Sequence, residues 1–331
     1  MKPIKCAIIG ATGMVGTMFL KIIKERELPV SQLKLFSSAR TAGQVITTDD
    51  GCKYITEELT EHSFDEGFDV CFFALRNELA KKYAPIAAAK GCIVIDNSSA
   101  FRTDPAIPLV VPEVNFEDLK HQHGIIANPN CCAAPAVIAL KPLLNKYGIK
   151  RVVISTYQSV SGAGIGGIHD LKHSDSPPTT FLHPIAGNLI PHIGDFEPDG
   201  YTGEEKKLIA EIKKMLHTPE LRITATTVRV PVYVAHSLSM NIELNATFDV
   251  DDVKNLLAAS AGIKLVDDIK NNQYPMPFYA AGDDVVHIGR IRRDDSCDNA
   301  LNLWLSSDNT RKGAALNAVQ IAETLFKGDN I

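Results

Sequence analysis

Residues Ile4–Gly16 read IKCAIIGATGMVG: an apolar run, then Gly10, Gly13 and Gly16 at intervals of three. Residues 14–26, MVGTMFLKIIKER, carry apolar side chains at helical spacing, so the glycines lie between a buried strand and a helix. Glycines at such a turn let the backbone approach a pyrophosphate seated on the helix N-terminus. The spacing G-x-x-G-x-x-G differs from the usual G-x-G-x-x-G, and a plain tight strand-to-helix turn is the other reading.

Working outward, LKLFSS supplies a second strand and VCFFAL a later one, followed by a helix over 78–90 and the strand CIVID. Strands separated by helices specify a parallel sheet with right-handed crossovers. Roughly 20 residues past the glycines, a carboxylate would hold the ribose 2′-hydroxyl of NAD. Here LFSSARTAG (35–43) offers Ser37, Ser38, Arg40 and Thr41 and no acid. That favours NADP, whose 2′-phosphate suits hydroxyls and an arginine; a solvated surface arginine is the alternative.

After residue 130 the texture changes. A helix over about 132–147 precedes the alternating runs RVVISTYQS, LRITATTVRVPV and SMNIELNATF, which predict an antiparallel or mixed sheet. Residues 173–203 hold five prolines and read as an irregular excursion or interface arm. The tail NTRKGAALNAVQIAETLFKG reads as a final helix with Ala314, Ala318, Ile321 and Leu325 on one face, free to dock on the first domain. The expected fold is thus α/β. A Rossmann-like dinucleotide-binding domain spans 1–130 and is completed by a helix over 309–331. An α+β catalytic and dimerisation domain with a mixed sheet spans 131–308.

Composition narrows the function. The 331 residues carry net charge −5 and are 45% apolar, enough for substantial cores and without a basic field for nucleic acid or a polybasic face for membrane. No apolar run reaches the ~18 residues of a membrane span, and the N-terminus enters a strand directly, so a cytoplasmic location is expected. Seven cysteines are scattered without C-x-x-C or Cys/His ligand spacing, so no metal site is expected.

NPNCC (128–132) sets two cysteines on a turn into a helix. Neighbouring cysteines rarely pair, because the ring is strained. Exposed amides and the helix dipole favour a thiolate at Cys131. Asn128 and Asn130 can bond the turn backbone. If the helix has begun, Cys132 points about 100° away and takes no part. A thiolate beside a dinucleotide domain points to thioester formation coupled to hydride transfer. RVPVYVAH supplies Arg229 and His236, but seven residues apart they have opposite strand parity, so a bend must aim both inward. A lone histidine is more often structural.

GATGMVG, SSARTAG, DNSSAFR, VVPEVN, NPNC, STYQSVSGAG, RVPVYVAHS and SDNTRKGAALNAVQIAE occur in order from residue 4 to about 325. Together they resemble aspartate-β-semialdehyde dehydrogenase. The resemblance implies NADPH-dependent reductive dephosphorylation of L-aspartyl-4-phosphate to L-aspartate 4-semialdehyde, on the route to lysine (through diaminopimelate), methionine and threonine. It implies catalytic roles for Cys131 (acyl-thioester), His236 (acid/base) and Gln158 (substrate orientation). Substrate binding falls to Asn130, Arg229 for the carboxylate, Glu204 for the amino group, and Arg102 with Lys207 for phosphate. Cofactor contacts fall on Gly10, Thr12, Gly13, Met14, Val15, Ser38, Arg40, Thr41, Ser161, Gly162 and Asn309. A homodimer or homotetramer is implied, with phosphate as co-substrate.

The sequence departs from the family pattern at ALRNE (74–78), where Arg76 and Asn77 replace small residues near the expected nicotinamide edge. It departs again at Cys132, where serine is common and a neutral packing role is expected. One rival is N-acetylglutamyl-phosphate reductase, whose acetylated amine has no need of Glu204. The other is a non-catalytic paralogue acting as an oligomeric binding protein.

Overall fold

A computed structural model describes residues 2–327; the last residues of the expected 309–331 helix, 328–331, lie outside them. The chain forms two compact units, one running to Pro129 and resuming at Ala314, the other Asn130–Gly313.

In the first unit, the strands β1 (Ile4–Ile9), β2 (Val30–Ser37), β3 (Val45–Thr47), β4 (Lys53–Glu58), β5 (Val70–Phe73), β6 (Ile93–Asp96) and β7 (Ile125–Ala127) form one sheet. Its order is β3-β4-β2-β1-β5-β6-β7. All pairs are parallel except β3 with β4. The short edge strand β3 is the β-branched run Val45–Thr47, which the sequence reading left unnamed. Helices α1 (Met14–Glu25) and α2 (Asn77–Ala89) cover opposite faces, and the short α3 (Pro112–Asn115) follows β6. Strand alternation separates the two cores. Cys6 and Ile8 of β1, with Val70 and Phe72 of β5, face Phe19, Leu20 and Ile23 of α1. Ala7, Ile9, Cys71 and Phe73 face Ala84 and Ala87 of α2. Each large apolar side chain so buried contributes about 1.5–3 kcal/mol.

In the second unit, α4 (Ala133–Tyr147) leads into β8 (Ile149–Gln158), and α5 (Gly164–Lys172) and α6 (Gly203–Met215) flank a stretch without helix or strand. Then follow β9 (Arg222–Arg229), β10 (His236–Leu244), α7 (Val250–Ala258), β11 (Ile263–Leu265), α8 (Pro277–Ala280), β12 (Val286–Arg293) and β13 (Ala300–Ser307). The sheet order is β11-β12-β13-β10-β8-β9, mixed because β8 pairs with β9 in parallel and with β10 antiparallel. The run LRITATTVRVPV stops being a strand at Arg229, and β10 begins three residues earlier than SMNIELNATF suggests. The strands β11 to β13 went unnamed from sequence. In the irregular stretch, Asp170 accepts hydrogen bonds from the backbone of Thr179, Thr180 and Phe181 at 2.7–3.1 Å, and Ile185 and Ile190 pack on Val160.

The chain returns to the first unit through α9 (Leu316–Phe326). Ala318 and Ile321 are buried in the core with Phe19, and Leu325 packs against it. Polar ties hold this helix: Arg26 donates twice to Glu323 at 2.7 Å, and Asn317 Nδ2 donates to Val110 O and Asn128 Oδ1. No described helix is long and apolar enough to cross a membrane.

Candidate active site

The glycine loop of the first unit fits a dinucleotide phosphate. Gly10 has φ +87°, and a Cβ there would lie 2.4 Å from the Ala74 carbonyl oxygen, so only glycine is tolerated. Gly13 caps α1 without any side-chain hydrogen bond, and no acid occupies the first helical turn, leaving its N–H groups for an anion. Met14 and Val15 open the helix. Thr12 Oγ1 lies 3.4 Å from Thr41 Oγ1, which lies 3.2 Å from Ser38 Oγ, so the two loops share one hydroxyl cluster. Arg40 is exposed beside it. Asn77 binds Ser99 through both its amide groups, so this departure from the family pattern anchors the DNSSAFR loop. Arg76 is exposed. Arg102 also belongs to this unit, where Nε donates to Asn128 O and Nη2 to Asn97 O, both at 2.8 Å.

In the second unit, topology gathers the chemistry at one sheet edge. Parallel β8 and β9 end together with Gln158 opposite Arg229; antiparallel β10 starts there with His236, opposite Ser307 at the end of β13. The bend that the parity of Arg229 and His236 demands lies in residues 230–235. Ala235 takes φ +72°, and its N–H donates to Asn309 Oδ1 at 2.9 Å. His236 is fully buried; Gln158 (1% exposed) and Arg229 (6%) are nearly so.

The NPNCC turn meets this edge. Asn130 Oδ1 accepts the Cys132 N–H at 2.7 Å, capping the approach to α4. Asn130 is held in turn by α6: its backbone N–H donates to Glu211 Oε2 at 2.6 Å and its Nδ2 to Glu204 Oε1 at 2.7 Å. Gln158 Nε2 donates to the same Glu204 oxygen at 3.2 Å and to Cys132 Sγ at 3.0 Å. Asn128, in contrast, reaches away from the turn, donating to Asn97 Oδ1 and Ala314 O. Gly313 closes the other side, where a Cβ would stand 3.0 Å from Cys131 Cβ.

Cys131 is partly exposed. Both cysteine sulfurs and a ring nitrogen of His236 lie within 4.8 Å of one another. This corrects two expectations. Sequence spacing showed no Cys/His cluster because its members are a hundred residues apart. Cys132 does not leave the site either: its backbone is already helical, with φ −95° and ψ −30°, yet its thiol lies with Cys131 and His236 and accepts from Gln158 Nε2. The Cys132 thiol is the largest influence holding the Cys131 pKa well below the ordinary thiol value, with His236 and Arg229 adding to it against burial. Burial pushes the Cys132 thiol up, so it remains a donor.

The expected cofactor residues fall in both units. Ser161 and Asn309 belong here, hydrogen-bonded to each other and to Ser159, with Gly162 beside His236. Lys207 is exposed on α6, one turn after Glu204. Glu211 and Ser159 were missed from sequence. The 204/207/211 spacing on one helical face marks the former; Ser159 carries no signal beyond its place next to Gln158.

Residues 5–122 match the family model described as semialdehyde dehydrogenase, NAD binding domain, and residues 140–312 match semialdehyde dehydrogenase, dimerisation domain. An aspartate-semialdehyde dehydrogenase of Aquifex aeolicus is 46% identical, with 98% of each chain covered. A crystal structure of aspartate semialdehyde dehydrogenase II from Vibrio cholerae, complexed with ASA, is 40% identical with TM-score 0.95, covering all of both chains. One from Candida albicans, with NADP, is 25% identical with TM-score 0.78 and 98% of each chain covered. The chain belongs to the aspartate-semialdehyde dehydrogenase family of oxidoreductases.

Proposed function

We propose that the chain catalyses the reversible NADPH-dependent reductive dephosphorylation of L-aspartyl-4-phosphate to L-aspartate 4-semialdehyde, supplying lysine, methionine and threonine synthesis. The observation that carries this reading is the partly exposed, thiolate-favouring Cys131, set against a buried His236 whose Nε2 has no protein partner. The Cys131 thiolate attacks the acyl phosphate carbon to form a thioester, with phosphate leaving to the cations Arg102 and Lys207. His236 serves the carbonyl oxygen. Arg229 holds the substrate carboxylate. Glu204, with Asn130 and Gln158 on its carboxylate, receives the ammonium group, which favours an aspartyl substrate over an N-acetylated one. Asp and Glu are absent from the end of β2, and Ser38, Arg40 and Thr41 suit the 2′-phosphate of NADP; Gly10, Thr12, Gly13, Met14 and Val15 hold the diphosphate. When bound, the nicotinamide supplies the hydride that reduces the thioester. We propose a homodimer through the second unit, where exposed Leu182, Leu189 and Phe196 support an apolar interface.

The test is phosphate-dependent NADPH formation from aspartate semialdehyde. Cys131→Ala should abolish it and Cys132→Ser should keep most of it; equal loss in both would end the assignment of one nucleophile.

A further inference from the structure

The stretch between α5 and α6 has neither helix nor strand, yet it meets Arg229 twice. On the main chain, Ile190 and Arg229 form an isolated antiparallel bridge, with N–H to carbonyl distances of 3.0 and 2.8 Å. At the side chain, the guanidinium carbon stands over the Phe181 ring, 5.9 Å from its centroid. That distance is within reach of a cation–π attraction, which strengthens when the cation is desolvated. Arg229 is such a cation: burial pulls its pKa down, against the opposing pull of Cys131 and Glu204.

Phe181 is pinned where it stands. Asp170 of α5, itself 6% exposed, accepts the Thr180 and Phe181 N–H groups on one carboxylate oxygen at 2.7 and 3.1 Å. Its other oxygen accepts the N–H and hydroxyl of Thr179 at 3.0 and 2.9 Å. A carboxylate accepts only, so all four partners are donors and three consecutive residues are fixed. The segment also lies hard against α5. A Cβ at Gly166 would stand 2.3 Å from Thr180 Oγ1, and one at Gly167 would stand 3.1 Å from Phe181 Cζ. Val160, Ile185 and Ile190 pack around the ring.

The guanidinium is thereby bounded on three sides. Its Nη1 donates to Ser159 O at 2.7 Å, a methyl at Gly162 would lie 2.7 Å from the same nitrogen, and the Phe181 ring covers a face. Ser159 O is its one protein acceptor among the described residues, which leaves Nε and Nη2 for a ligand. Those two donors form an edge that grips a carboxylate with parallel hydrogen bonds.

We propose that Phe181 is a positioning residue for the reaction: its ring, pinned through Asp170, holds the Arg229 guanidinium in the orientation that receives the substrate carboxylate. This rests on the carboxylate-binding role of Arg229 proposed above. The carboxylate is held alike before and during the chemistry, so Phe181 sets substrate affinity rather than turnover. The irregular stretch after α5 thus becomes part of substrate recognition.

Phe181→Leu keeps an apolar side chain for Val160, Ile185 and Ile190 but removes the π face. In the full-length protein it should raise KM for aspartate semialdehyde about fivefold, with kcat and KM for NADP unchanged. An unaltered KM for the semialdehyde overturns the inference. So does a parallel loss in kcat and in NADP affinity, which is the mark of disturbed packing. Asp170→Asn leaves the ring but turns a donor toward the Thr180 and Phe181 N–H groups. It should raise the same KM by a smaller factor, and no change there overturns the pinning. Binding is also read without turnover or nucleotide, as protection of Cys131 from alkylation by aspartate semialdehyde. Arg229→Met should weaken protection about tenfold or more, and Phe181→Leu added to Arg229→Met should weaken it no further. Full protection in Arg229→Met would bring down the carboxylate reading itself. Weakened protection in Arg229→Met beside unchanged protection in Phe181→Leu would overturn this inference alone.

Discussion

The glycine loop of the first unit and the thiol site of the second are built from different materials. The loop is mostly backbone: Gly10, the uncapped start of α1 and a few hydroxyls, all within residues 10–41. The thiol site is made of side chains brought from 130–132, 158–162, 204–211, 229–236 and 309, held by a chain of hydrogen bonds from Glu211 through Asn130, Glu204 and Gln158 to Cys132. A backbone site depends on conformation and tolerates little local change. A side-chain network depends on partners, and losing one leaves another unmet.

The sharpest way to break this contrast is at Gly10. Gly10→Ala must hold a Cβ at φ +87° and 2.4 Å from a carbonyl oxygen. It should cost about 3 kcal/mol of the first unit's stability and abolish dinucleotide binding, as measured by denaturant titration and nucleotide fluorescence. Retained binding with an unchanged midpoint would show that the loop is not conformationally locked. Next in size is Glu211→Ala, which leaves the buried Asn130 N–H without its acceptor. A loss of about 2 kcal/mol is expected, with slower Cys131 alkylation. Glu211→Gln, which keeps an acceptor oxygen, should recover most of both; no recovery would mean that the charge rather than the hydrogen bond matters.

The same contrast explains what the sequence made legible. Strand–glycine–helix is a local pattern, and the alternation of Cys6/Ile8 against Ala7/Ile9 already encodes two covered faces. The turn that carries Cys131, the proposed nucleophile, is a local pattern as well. What could not be read depends on long-range pairing. Gln158 stands beside Arg229 because β8 and β9 run parallel, and His236 joins them because β10 runs the other way. Ser159 donates to His236 Nδ1 from its main chain, which leaves no mark on residue identity. Cys132 was set aside in the sequence because a helical step separates it from Cys131, but the long-range partners Gln158 and His236 bring its thiol into the same cluster.

Arg40 offers a smaller effect on the loop side. It is exposed, so Arg40→Ala should leave stability unchanged. If it meets the 2′-phosphate, KM for NADP should rise about tenfold, equivalent to about 1.4 kcal/mol, with KM for NAD unaltered. Parallel increases for both nucleotides would place the arginine elsewhere than at the 2′-phosphate.

The smallest expected change tests the network side, at Cys132. Its thiol is the largest influence lowering the pKa of Cys131, and burial keeps it protonated as a donor. Cys132→Ala removes that donor, so the thiolate of Cys131 loses its hydrogen bond while the desolvation opposing it remains. The inflection of Cys131 alkylation against pH should then move up, toward the ordinary thiol value. Cys132→Ser keeps a hydroxyl in nearly the same place, and the Gln158 amide can still donate to its oxygen. Its inflection should stay near that of the parent protein, and kcat should fall by no more than a small factor. If Cys132→Ala leaves the inflection where it was, the helix start, His236 and Arg229 suffice to hold the thiolate. Cys132 would then be accepting from Gln158 without donating to Cys131, and the hydrogen-bonded chain that begins at Glu211 would end at Cys132.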